Sequence, residues 1–258
     1  MSTTPHQIVV TIHSQDLLLD YEAANKFAGQ SPVTYLFVGM GAVDKLAGLG
    51  NVIIARDLPD NIENMKFLVD FTSWYACVQN NLLEDGLVSL IQYDVSIQSD
   101  FSEVSQRALA GNLDGILGYS PVEMRNRNFI RDNMGFAPLR DACRTVYGID
   151  VKAVLNTFMK HGPDPMWPAT NNVAMHTDTL RDFVRWFTPL AHAMGNEKPV
   201  GHSFERAIKL FAVLTARTTT YDTSVLSHFQ LNSHGTQDFE KPTGVLQKLI
   251  TRNQKSDD

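Results

Sequence analysis

The sequence predicts an α/β protein in which a mostly parallel sheet is flanked by helices. Short runs of β-branched and apolar residues recur along the chain, and segments with apolar residues at helical spacing separate them. This alternation is typical of parallel sheets, because each parallel pair of strands needs a crossover connection. We expect a single domain over residues 1–258, made of a first half at about residues 1–120 and a second half at about 121–258.

The predicted strands are the apolar, β-branched runs at residues 7–12, 35–38, 51–55, 87–97, 114–119 and 172–175. The predicted helices, which have apolar residues three and four positions apart, cover residues 17–27, 61–80, 102–110, 139–147, 151–160, 177–193 and 203–216. Asp60 or Asn61 is the expected N-cap of the second helix, and Thr177 that of the sixth. Trp74 and Tyr75 are expected to pack in the core.

Composition excludes several classes of protein. The net charge of −6 argues against a nucleic-acid partner, which would require a basic surface. The two cysteines, Cys77 and Cys143, form no C-x-x-C pair, which favours a reducing compartment. The sequence shows neither a signal-peptide pattern nor an apolar run of membrane-spanning length, so we expect a cytoplasmic protein. Peripheral association with a membrane or an enzyme complex is compatible with this composition.

Asp94 is the first candidate for a chemical role. It follows the apolar run LVSLIQY, and carboxylates at the carboxyl ends of buried strands lie where open α/β sheets bind ligands. A lone Asp that caps the next turn fits this position equally well. The run Gly39-Met40-Gly41 lacks the third glycine of a dinucleotide loop and is read as a turn. P-loop, H-E-x-x-H and G-x-S-x-G patterns do not occur in the sequence, which disfavours NTPases, zinc proteases and α/β hydrolases.

Five segments, spread in order over most of the chain, carry a family resemblance. They are VVTIHS at 9–14, DFTSWYACVQNN at 70–81, LIQYDVSI at 90–97, NNVAMHTDTLRDFVRWF at 171–187 and HSFERAIKLF at 202–211. Together they resemble bacterial glycosyltransferases of capsule and lipopolysaccharide biosynthesis that have the GT-A fold. The resemblance implies a GT-A-like sheet with a helical acceptor-side region. It also implies transfer of a sugar from a nucleotide-sugar donor to a glycan or lipid-linked acceptor.

The same resemblance implies roles for particular residues. His13, Asp70 and Tyr93 are expected to contact the donor, and Asp94 is expected next to its phosphates. The sequence departs from the family that it resembles at QYDV, where that family has a His-Tyr-Arg-Arg type of sequence, and no full D-x-D triplet follows Asp94. A two-carboxylate metal site is therefore not expected. A single Asp can hold Mn²⁺ or Mg²⁺ when the diphosphate supplies oxygens, with His234 as a distant ligand. His234 reads equally as an exposed histidine of the polar tail.

Four further residues have both a chemical and a structural interpretation. Arg56 and Arg206 can pair with donor phosphates, since a guanidinium donates two parallel hydrogen bonds, or can form surface ion pairs. Glu205 and Asp178 are the candidates for the base that deprotonates the acceptor. Each of these carboxylates also lies near the predicted start of a helix, where the helix dipole alone favours it. The alternative function is a non-catalytic nucleotide- or glycan-binding module with a GT-A-like fold.

Overall fold

The computed structural model describes residues 5–13, 32–39, 51–92, 95–98, 100–123, 135–162, 166–196, 200–228, 230–231 and 237–238. Three predicted site residues, Tyr93, Asp94 and His234, lie outside these ranges, as does the predicted helix at 17–27.

The strands of the described residues are short and form one main sheet with three small ones. They are β1 (His6–Ile12), β2 (Val33–Phe37), β3 (Asn51–Ile54), β4 (Leu87–Gln92), β5 (Val95–Ile97), β6 (Ile116–Gly118), β7 (Pro121–Glu123), β8 (Met166–Pro168), β9 (Val173–His176), β10 (Thr219–Tyr221), β11 (Leu226–His228), β12 (Gln230–Leu231) and β13 (Gln237–Asp238). The main sheet has the order β10-β6-β9-β4-β1-β2-β3. Only β9 runs antiparallel to its neighbours there, which confirms the predicted mixed, mostly parallel sheet.

Six helices flank the sheet in the part of the chain that the structure describes. They are α1 (Val69–Gln79), α2 (Phe101–Ala108), α3 (Phe136–Tyr147), α4 (Val151–His161), α5 (Thr177–Met194) and α6 (Val200–Leu214). The predictions for α2 to α6 are confirmed to within three residues at each end. No helix among the described residues is long and apolar enough to span a membrane.

The sheet is buried on both faces, as parallel sheets usually are. Alternate residues of β1 point to opposite sides: Val9 belongs to one apolar cluster, and Ile8 and Val10 belong to the other. The cluster around Val9 is the larger and includes the aromatic side chains of α1, α5 and α6. Trp74 is central to it and 1% exposed, so its predicted place in the core is confirmed.

The predicted helix at 61–80 is only half right, because α1 begins at Val69. The segment before it forms turns in which the Met65 N–H bonds to the Ile62 carbonyl and the Leu68 N–H bonds to the Met65 carbonyl. All three of these side chains are buried. Successive β-turns, each closed by a bond between residues three positions apart, therefore reproduce the apolar spacing of a helix without forming one, and the predicted N-cap at Asp60 or Asn61 is wrong.

The predicted strand at 87–97 is two strands. β4 ends at Gln92, whose backbone N–H donates to the Asn172 side-chain oxygen at 2.8 Å instead of to a neighbouring strand. β5 pairs antiparallel with β11 in a separate sheet. The Asn172 side chain thus takes the place of a strand partner where the ladder ends.

The predicted N-cap Thr177 is also corrected, since His176 holds the capping position of α5. The Thr177 hydroxyl instead accepts a hydrogen bond from the Gly86 backbone N–H at 3.2 Å. This bond ties the start of α5 to the loop that enters β4.

Candidate functional site

A cleft of about 360 Å³ lies where β1 and β2 end. His13 directly follows β1, and Val38 and Gly39 directly follow β2. All three line the cleft, together with Val69 and Thr72 from the start of α1. The carboxyl ends of neighbouring parallel strands are where open α/β sheets bind their ligands. The cleft therefore occupies the expected position for a ligand, and His13 is one of its exposed polar groups.

One carboxylate, Glu63, also lines this cleft. Its Oε2 accepts a hydrogen bond from the Gly39 backbone N–H at 2.8 Å. Burial raises the pKa of the Glu63 carboxyl, while the bond from Gly39 and the positive charge of Arg56 act in the opposite direction. Arg56 lies in the turn after β3, and its Nε is 4.0 Å from Asp57 Oδ1. The guanidinium of Arg56, a predicted partner of the donor phosphates, is thus within electrostatic reach of the cleft.

Asp70 belongs to a polar corner beside the cleft, formed by Asp70, Gln92, Asn171 and Asn172. Asp70 Oδ2 accepts hydrogen bonds from Gln92 Nε2 and Asn171 Nδ2, each at 2.8 Å. Gln92 is the last described residue before the predicted Tyr93 and Asp94. The Asp70 carboxylate therefore joins the start of α1 to the end of β4 and to the turn that enters β9.

Backbone conformation at this corner is unusual. Thr170 and Asn171 have φ angles of +70° and +29°, in the region that side chains with a Cβ rarely adopt. Asn171 is 4% exposed, and its Oδ1 accepts no hydrogen bond from the described residues. Strained residues with an unsatisfied polar atom cluster at functional sites, which makes this turn a part of the candidate site.

Glu205 and Arg206 lie in α6, whose beginning is at the same edge of the sheet. A Cβ on Gly201 would lie 2.9 Å from the carbonyl oxygen of Phe67, just before α1, so the two helix starts are adjacent. Arg206 is 4% exposed; its Nη1 donates to the His202 carbonyl at 2.7 Å, and its guanidinium lies 5.2 Å from the ring centre of Trp167.

The Glu205 carboxylate is more accessible, with 26% of the side chain exposed. Its two oxygens lie 4.0 Å from His202 Nδ1 and 3.8 Å from Arg206 Nη1.

Asp178 lies at the opposite edge. β9 is antiparallel to β4, and His176 pairs with Leu87 at the amino end of β4. Asp178 follows it in the first turn of α5, and its side chain is 88% exposed. Arg181 binds both Asp178 and Asp85 at 2.8 Å. The structure thus separates Asp178 from the cleft and gives it an ion pair.

Two residues of this site were not among the sequence-based candidates. Glu63 was placed inside a predicted helix, although the Asn-Ile-Glu-Asn sequence around it is typical of a turn. Asn171 begins one of the quoted segments, and its pairing with Asp70, 101 positions away, is a tertiary contact that spacing does not reveal.

No protein-family model and no curated protein sequence matches the chain. Among solved structures, 87% of the chain is similar to the WbbM bifunctional glycosyltransferase, with a TM-score of 0.59 and 14% sequence identity. The two chains therefore share a fold. This chain spans 45% of the length of the WbbM chain.

Two further solved structures are similar at lower scores. The mannosyltransferase Ktr4p from S. cerevisiae matches 87% of this chain and 70% of its own, with a TM-score of 0.46 and 12% identity. Mouse xyloside xylosyltransferase 1 matches 84% of each chain, with a TM-score of 0.39 and 12% identity.

Proposed function

We propose that this protein transfers a sugar from a nucleotide-sugar donor to a hydroxyl of a glycan or lipid-linked acceptor. The cleft at the carboxyl ends of β1 and β2 is the observation that supports this most, since the fold is shared with a glycosyltransferase. Its volume lies within the usual range of small-molecule sites. Its walls combine apolar side chains with His13 and Glu63, a mixture suited to a nucleoside.

The reaction requires the departure of a nucleoside diphosphate and the removal of a proton from the acceptor hydroxyl. The bond from the sugar's anomeric carbon to the donor phosphate breaks, and the nucleoside diphosphate leaves with the electron pair. A new bond forms to the acceptor oxygen, whose proton passes to a base. We assign the base to Glu205, because it is accessible and lies in a helix that begins beside α1. Arg206 is nearly buried and orients this helix turn against Trp167.

A divalent cation, Mn²⁺ or Mg²⁺, remains part of the proposal. Its predicted protein ligands, Asp94 and His234, lie outside the described residues. Within the described ranges, no three His, Cys, Asp or Glu side chains are grouped so as to hold a metal ion. The Asp70 corner fixes Gln92, which lies two positions before Asp94 in the sequence. The cation would neutralise the charge of the leaving diphosphate.

Hydrolysis or transfer from a panel of UDP-, GDP-, CDP- and TDP-sugars tests the proposal. We expect turnover of one donor class by the wild type, a loss of at least about a hundredfold in Asp94→Ala, and inhibition by EDTA that Mn²⁺ reverses. Asp178→Ala, at the opposite edge, is the matched control and should retain activity. Nucleotide binding without turnover in either protein would instead support the non-catalytic module, and failure to bind any nucleotide would refute both sugar transfer and the nucleotide-binding form of that module.

A further inference from the structure

One oxygen of the Glu63 carboxylate has no hydrogen-bond donor among the described residues. Its Oε2 accepts from the Gly39 N–H, but its Oε1 accepts no hydrogen bond from the described residues although it is shielded from solvent. Buried polar atoms are nearly always satisfied, so one that is not calls for an explanation. A carboxylate only accepts hydrogen bonds, and what is missing is therefore a donor.

Local hydrogen bonds hold Glu63 in place, so that its side chain does not extend into solvent. The Asn61 side chain accepts from the Glu63 backbone N–H at 3.3 Å and donates to the Leu58 carbonyl at 2.9 Å. The bond from Gly39 then fixes the carboxylate against the end of β2. The terminal torsion of a glutamate is soft, so a rotation of the carboxylate about it would turn Oε1 toward a ligand in the cleft.

The side chains around Glu63 indicate what kind of group supplies the missing hydrogen-bond donor. The cleft presents Val38, Met65 and Val69 as apolar walls, against which the flat face of a base can pack. Glu63 belongs to the turns between β3 and α1, and the bond from Gly39 brings its carboxylate to the end of β2, the strand next to β1. In α/β dinucleotide folds, the carboxylate that binds a ribose hydroxyl lies at the end of the corresponding strand. A ribose offers two adjacent O–H donors, which matches an acceptor-only group.

We propose that Glu63 accepts hydrogen bonds from the ribose 2′- and 3′-hydroxyls of the donor nucleotide. This rests on the proposed function and narrows it: the enzyme uses ribonucleotide sugars and discriminates against deoxyribonucleotide donors such as TDP-sugars. A 2′-deoxy donor would leave the Glu63 carboxylate with an unpaired oxygen in a partly buried site, which is the arrangement that binding sites reject most strongly.

Calorimetric titration of the full chain with UDP, GDP and CDP and their 2′-deoxy counterparts tests the inference. We expect the wild type to bind the ribose form of the preferred nucleotide at least about tenfold more tightly than the deoxy form. In Glu63→Gln, which keeps the shape but not the charge, the preference should fall to about threefold or less. Glu103→Gln, on the exposed side of α2, is the matched control and should keep the wild-type preference.

The outcomes separate the two proposals. Equal affinity of the wild type for ribose and deoxy forms would overturn the role of Glu63 while leaving sugar transfer standing, and this comparison needs no folded variant. An undiminished preference in folded Glu63→Gln would overturn it as well. If the wild type binds neither these nucleotides nor TDP, with or without Mn²⁺, the proposed function itself fails, whereas binding of TDP alone would overturn only the role of Glu63.

Discussion

The buried side chain of His6 should make the stability of the folded protein sensitive to acid. The side chain is 4% exposed, its Nε2 lies 2.9 Å from the Ser89 hydroxyl, and burial lowers its pKa from 6.5 to about 4. Above pH 6.5 both folded and unfolded chains carry a neutral His6. Between 6.5 and 4 only the unfolded chain binds the proton, so the free energy of unfolding falls as the pH falls. One pKa unit is worth about 1.4 kcal/mol, which gives a loss of about 2 kcal/mol between pH 7 and pH 5.

Urea denaturation at pH 7 and pH 5, for the wild type and His6→Gln, measures this contribution. Glutamine can still bond to Ser89 but does not titrate. The variant should therefore lose about 2 kcal/mol less than the wild type over this pH interval, whatever its stability at pH 7. Other titrating groups contribute to both proteins and cancel in the difference. Equal losses in the two proteins would refute the assigned cause, which is the buried neutral imidazole.

Three further perturbations have outcomes that follow from described contacts. Asp70→Ala removes the acceptor of two side-chain amide groups, so it should destabilise the protein by about 2–4 kcal/mol and lower turnover by more than about tenfold. The control Asp178→Ala changes an exposed side chain and should have neither effect. Melting curves measure the stability of each variant, and donor hydrolysis measures its turnover. Trp74→Ala opens a cavity beside Phe204 and should cost about 3–5 kcal/mol in urea denaturation, with unchanged stability contradicting its central place. Burial raises the pKa of the Cys77 thiol to about 12, so a thiol reagent should label it only on unfolding, and rapid labelling at pH 7 would contradict this.

Local signals in the sequence were enough to predict most of the architecture. β-Branched runs and apolar spacing are short-range properties, and they located β1, β2, β3 and helices α2 to α6 within a few residues. The prediction failed where a side chain from a distant part of the chain intervened. Asn172 ends β4 through a bond to Gln92 that spans 80 positions, and no periodicity in residues 87–97 indicates it.

The candidate site was less predictable because it is assembled by topology. The antiparallel direction of β9 moves Asp178 to the far edge of the sheet, and a strand's direction is not encoded in its own four residues. Glu63 faces the cleft because turns replace the first part of a predicted helix. The place of His13 at the cleft was easier to predict, since the end of a first parallel strand is a ligand position in folds of this kind, but its predicted contact with the donor stays a prediction.

The location of a bound nucleotide is the sharpest test of whether the cleft beside β1 and β2 is the donor site. A crystal of the protein grown with the nucleoside diphosphate that raises its melting temperature most, together with Mn²⁺, should show the nucleoside between His13, Gly39 and Glu63. The diphosphate should extend toward Asp94. A nucleotide bound elsewhere, for example at the opposite edge beside Arg181, would contradict the assignment of this cleft as the donor site.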